Sequence, residues 1–144
     1  MNNDYLVIHA DGSVPLFIPQ YGSINETWHI LMNDLDHNLC FECVKMDTPF
    51  DDLFMLVDDA AKLRPHSLNQ IASHFYDGMK YGDYIAGTVM VCRMGLVPFT
   101  CDDGEIFMEH DLLPLLPDHV AYFTRLCCVW SEIYSSVIGE DDLS

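Results

Sequence analysis

Five apolar residues stand in a row from Leu53 to Val57, with Asp51-Asp52 before them and Asp58-Asp59 behind. An apolar run of that length between acidic turns predicts a largely buried strand. Further on, Ser67 is a natural N-cap, and Leu68, Ile71, Ala72 and Phe75 fall at the i, i+3, i+4, i+7 spacing of one helical face. The pattern predicts a helix over 67–76 with Leu68 on its core side, closed by Asp77-Gly78 because glycine tolerates the left-handed C-cap. Gly82-Asp83 then leads into a strand over 85–93. There Ile85, Gly87, Val89 and Val91 share one face, and Ala86, Thr88, Met90 and Cys92 the other. Both faces are mostly apolar, which predicts a central strand covered on both sides. Gly87 would leave room for a neighbouring backbone or a large side chain.

The flanks follow the same logic. Tyr5–His9 and Val14–Ile18 read as strands about an Asp11-Gly12 turn, and Pro15 and Pro19 suit a sheet edge. Ser23 or Asn25 can cap a helix with Ile24, Trp28, Leu31, Met32 and Leu35 on one side and Asn25, Glu26, His29 and Asn33 on the other. Leu39–Met46 reads as extended. Met94-Gly95 and Pro98 are expected to loosen the chain, Thr100–Gly104 to turn it, and Glu105–Met108 to form a short strand. Pro114 and Pro117 break any helix there.

A long helix over 118–138 follows, with Asp118 as cap and Gly139 as its end. Val120, Phe123, Cys127, Trp130, Tyr134 and Val137 recur at steps of three and four, widened by Leu126, Val129 and Ile133. So broad an arc covers a sheet, with any excess buried by a partner, a second copy included. The elements sum to a single α+β domain over 1–144: a mixed or antiparallel sheet with the 67–76 and 118–138 helices against it.

The order VDD–AKLR–LNQIAS–YG–GDYIAGTVMV resembles a domain-of-unknown-function family of phages, plasmids and conjugative elements. In that family a VDE-G-K turn precedes an LN..A helix and an I.G.vvv strand. The matching positions are Val57, Asp58, Lys62, Leu68, Asn69, Ala72, Ile85 and Gly87, while Ala60-Ala61 stands where the family places a Gly. The resemblance marks 1–93 as a family-like core and 94–144 as a C-terminal extension. It implies a mobile-element origin and assigns no activity.

Charge narrows the function classes. Six Lys plus Arg against 23 Asp plus Glu leave a net charge of −17. That balance opposes broad contact with nucleic acid, an anionic membrane or polyphosphate, and permits attraction to a basic groove on another protein. The alternative is that an apolar small protein needs charge for solubility. Half the residues are hydrophobic and 12% aromatic, so a folded core is expected despite the charge. The N-terminal residues show no targeting signal and no apolar run spans a bilayer, so the expected location is the host cell cytosol, with all six Cys as free thiols.

The motifs that would announce catalysis are missing: no phosphate-cradling glycine loop, no G-x-S-x-G elbow, no H-E-x-x-H helix. An enzyme is not expected, nor a cofactor, and His74 reads as a surface or satisfied histidine. Cys40 and Cys43 have C-x-x-C spacing, with His37, Cys92 and Cys101 as further candidate ligands. Their flanks are strand-like, however, and residues three apart in a strand point to opposite faces, so no metal is expected.

Acidic clusters recur instead, at Asp51-Asp52, Asp58-Asp59, Asp102-Asp103-Glu105, Glu109-Asp111 and Glu140-Asp141-Asp142. Together with the resemblance they point to a small acidic protein that inhibits a host factor with a basic surface, such as a nucleic-acid-binding defence enzyme, by mimicking DNA. Two alternatives remain. One is a sponge for a nucleotide immune signal, with Tyr76, Tyr81 and Tyr84 stacking and Arg93 as cation. The other is an accessory subunit, a homodimer through the 118–138 helix included.

Overall fold

Among the described residues nine elements follow one another: β1 (Tyr5–Ile8), β2 (Leu16–Ile18), α1 (Ile24–Leu31), β3 (Phe41–Lys45), β4 (Leu53–Asp58), α2 (Gln70–His74), β5 (Val89–Thr100), β6 (Ile106–Leu113) and α3 (Pro117–Leu143). The computed structural model describes residues 3–34, 36–61, 68–76 and 82–143, with side chains through Ser131. The strands form one antiparallel sheet in the order β2-β1-β5-β4-β3, with β6 pairing β5. The chain is thus a single α+β domain, as its alternation predicts.

Strand alternation sorts the apolar side chains into two cores. Leu6, Ile8, Leu53, Met55, Val57, Val89 and Val91 face Ile71, Ala72 and Phe75 around α2 and Phe123 of α3. Tyr5, Leu56, Met90 and Cys92 face the opposite way, against Trp28 of α1. Cover on both sides is why Val89–Cys92 can be apolar without interruption. The short strand β2 lies at one edge, where Pro15 and Pro19 flank it.

Several boundaries differ from expectation, each for a physical reason. The N-cap of α2 is Asn69, which is extended and accepts from the Ala72 N–H. Ser67 and Asp77-Gly78 lie outside the described residues. Leu68 therefore precedes the helix, where helical periodicity does not apply. It is 47% exposed and bridges Ala86 rather than entering the core. The central strand starts at Val89 because Gly87 takes φ +78, a left-handed conformation that favours glycine. Its carbonyl turns to accept from Asn69 Nδ2 at 2.8 Å, and that of Ile85 accepts from the Ser73 hydroxyl at 3.2 Å. The left-handed backbone is thus one use of Gly87.

Past Arg93 the strand continues through Met94, Gly95 and Pro98, because β6 runs beside it over eight register pairs. β6 itself reaches Leu113, well beyond the expected Met108. β5 thus runs unbroken across the 93–94 junction. At the start of α3, Pro117 takes the first helical position, where its missing N–H costs nothing. The Leu116 N–H donates to His119 Nδ1 at 3.0 Å, a side chain reaching back over the helix start. Asp118 is therefore inside the helix, and the helix passes Gly139 to Leu143. On α1, His29 is buried beside Asp34 rather than exposed on a polar side.

Candidate functional site

β5 has two neighbours on one flank, placed end to end. β1 pairs with Val89–Val91 and β6 with Arg93–Thr100. β4 covers the other flank only as far as Arg93. Residues 94–112 consequently leave the body of the sheet as a two-stranded ribbon. Its root is tied by the Met94 N–H to the Asp52 carbonyl (2.8 Å), by Arg93 Nε to the Pro114 carbonyl (2.8 Å) and by the Leu115 N–H to the Asp4 carbonyl (2.8 Å). At Gly95 a Cβ would come within 2.6 Å of the Arg93 guanidinium and 2.9 Å of Leu113 Cδ1, side-chain ends that would have to shift. The far end is the Cys101–Glu105 turn, closed by the Cys101 N–H on the Glu105 carbonyl (2.8 Å) and the Gly104 N–H on the Cys101 carbonyl (2.9 Å).

The register gives the ribbon two unlike faces. Leu96, Pro98 and Thr100 pair with His110, Met108 and Ile106 on the side shared with Met90 and Cys92. That face carries no charge apart from the histidine, and its apolar residues are open to solvent: Ile106 is 67% and Met108 57% exposed. The other face carries Val97, Phe99 and Phe107 together with Glu109 and Asp111. Asp102 and Asp103 occupy the tip, with Glu105 directly after it, all exposed.

Five of the twelve clustered acidic residues thus gather on one ribbon: Asp102, Asp103, Glu105, Glu109 and Asp111. Asp51 and Asp52 lie just ahead of β4, beside its root. Asp51 is exposed, whereas Asp52 is partly buried and accepts from His119 Nε2 at 3.1 Å. Asp58 and Asp59 lie at the other end of β4 and do not join this group. Asp58 is only 3% exposed and accepts from the Ala60 N–H at 3.1 Å, so it is a turn-forming residue rather than part of an acidic surface. The Glu140-Asp141-Asp142 side chains lie outside the described ones.

The sequence-predicted nucleotide pocket is split. Tyr76 and Tyr84 line a cavity of about 140 Å³ whose remaining polar wall includes Glu42, Asp58, Asp59 and Asp83. The Tyr76 hydroxyl donates to Asp83 at 2.7 Å. Tyr81 lies outside the described residues, and Arg93 is at the ribbon root, not on this cavity. A phosphate there would meet carboxylates, which the sponge reading does not want.

The cysteines also disperse. Cys40 and Cys43 are exposed at β3, Cys92 is buried in the α1-side core and Cys101 starts the ribbon tip, while His37 stacks on His29 with ring centroids 3.9 Å apart. All six are free thiols, and burial pushes the Cys92 thiol well above its ordinary range. Among the described residues no three His, Cys, Asp or Glu side chains converge as a metal would require. Of the long C-terminal helix, Val129 is half exposed, and the side chains beyond Ser131 lie outside the described ones.

The feature sequence reasoning missed is the ribbon itself. Its signal was the alternation of Leu96, Pro98 and Thr100 with Val97 and Phe99, masked by the glycine and proline. Fold and site together define an antiparallel α+β domain carrying an acidic, apolar-faced arm. No family model, curated protein or solved structure matches the chain. Among the described residues no helix is long and apolar enough to cross a membrane.

Proposed function

We propose that this is a small acidic interaction protein of mobile-element origin that binds a host factor and blocks its basic, nucleic-acid-binding groove, acting in the host cytosol and not as an enzyme. The observation that carries the reading is the arm: Asp102, Asp103, Glu105, Glu109 and Asp111 project together, and between Met94 and Leu113 there is neither Lys nor Arg. Seven residues of ribbon at about 3.4 Å each give roughly 24 Å of length. Over that distance duplex DNA carries about fourteen charges and a single strand about seven. Five carboxylates therefore approach the charge of one strand, not of a duplex. Phe99 and Phe107, exposed on the face that holds Glu109 and Asp111, add flat apolar surface beside the anions, as bases do beside phosphates.

The test is capture of partners from host lysate followed by competition with single-stranded and duplex oligonucleotides. A nucleic-acid-binding partner released by oligonucleotide is expected, with affinity falling about a hundredfold between 50 and 200 mM salt as ions released on association are replaced. Reversing Asp102, Asp103 and Glu105 to Lys should abolish capture while leaving the circular dichroism unchanged. A partner indifferent to oligonucleotide, salt and charge reversal would sink the reading.

A further inference from the structure

The ribbon has two backbone edges, and they are not equivalent. The Cys101 N–H reaches Glu105 across the tip, and the Met94 N–H reaches Asp52 away from β6. With alternate residues of an antiparallel strand bonding to opposite sides, the odd-numbered residues of β5 and β6 bond to each other and the even-numbered ones point outward. On the β5 edge the outward residues are Leu96, Pro98 and Thr100, and Pro98 has no N–H to offer. On the β6 edge they are Ile106, Met108, His110 and Leu112. The Leu112 N–H is taken by its neighbour Asp111 at 2.8 Å. That leaves the N–H and C=O of Ile106, Met108 and His110 as an edge to which, among the described residues, no strand is paired.

We infer that this β6 edge is where the partner docks, by adding a strand of its own whose side chains alternate between apolar and basic. This rests on the reading of the chain as an acidic interaction protein and names how the contact is made. Strand addition supplies main-chain hydrogen bonds, and side chains at alternate positions set which strand is accepted. On one face an added strand lies beside Ile106, Met108 and His110, which calls for apolar side chains. On the other it lies beside Phe107, Glu109 and Asp111, which calls for Lys or Arg. A second copy of this chain is the poorer occupant. Pairing β6 with β6 about Met108, the middle of the open edge, sets Asp111 of each copy against Glu105 of the other, and like charges opposite one another destabilise a sheet.

The experiment uses the full chain and a ten-residue synthetic peptide alternating valine and lysine, with calorimetry for affinity and hydrogen exchange for location. The amides of Ile106, Met108 and His110 are expected to slow, while those of Phe107 and Glu109, already in the ladder, stay unchanged. A valine–glutamate peptide should bind at least about tenfold more weakly, because its charges meet like charges. Met108→Pro removes one outward N–H without touching the β5 pairing and should weaken binding about tenfold, whereas Met108→Thr, which keeps it, should not. If Met108→Pro disturbs the ribbon, a valine–lysine peptide N-methylated throughout asks the same question of the other partner and should not bind.

Equal binding of lysine and glutamate peptides, or binding that survives N-methylation, would overturn strand addition. So would a concentration-dependent dimer that protects the same three amides. Binding that survives N-methylation leaves the charge-based reading standing, since that reading falls with a captured partner indifferent to oligonucleotide, salt and the reversal of Asp102, Asp103 and Glu105.

Discussion

At residue scale Asn69 joins three segments. Its Oδ1 accepts from the Ala72 N–H at 3.0 Å, capping α2, while Nδ2 donates to the carbonyls of Ile8 (2.9 Å) and Gly87 (2.8 Å). The residue is fully buried, so nothing in solvent can replace those bonds. Asn69→Ala removes the cap and strands two buried carbonyls, and should lower unfolding free energy by about 3 kcal/mol in urea denaturation. Asn69→Asp should do no better, because an acceptor cannot serve the carbonyls of Ile8 and Gly87. The resemblance singled out Asn69, but as one helix position in a motif. Its work depends on Ile8, sixty-one residues away, and on the left-handed turn at Gly87, which no local window displays.

At the scale of elements, the join between α1 and β3 is organised by a carboxylate the polar side of α1 did not advertise. Burial acts to raise the Asp34 carboxyl, but the N–H groups of Leu39 (2.7 Å) and Asn38 (3.0 Å) and the His29 ring (2.9 Å) outweigh it and hold it below the ordinary range. A depressed folded-state value means stability that is complete above the unfolded value of about 3.9 and lost as pH falls through the folded one. Denaturation curves for the parent and Asp34→Asn should therefore differ most at neutral pH and converge below about pH 4. Elements whose two faces meet the rest of the molecule were legible: Leu53–Val57 and Val89–Cys92 announce themselves by apolar runs. Ends were not. Whether Met94, Gly95 and Pro98 break a strand or continue it is decided by β6 and by the Asp52 carbonyl, and the same residues read locally as breakers. The acidic clusters were visible as composition, but only the fold separates the ribbon group from Asp58, which is sealed into a turn.

Among the described residues the molecule is a two-sided core with a ribbon reaching out of it, and the asymmetry of that ribbon limits what the protein can build. A ribbon with two open edges can accept a strand on one side and offer the other to the next molecule, and such growth has no natural end. Pro98 takes the middle position on the β5 edge, so the arm accepts a strand at β6 and offers no second site at β5. Assemblies should therefore close at one arm to one strand, and concentrated solutions should stay free of filaments. Pro98→Thr restores the missing donor without altering the β5–β6 ladder. In high salt, where carboxylate repulsion is screened, light scattering from that variant with the valine–lysine peptide should grow with concentration, while the parent chain stays clear. On that view a single proline separates a capped complex from a polymer.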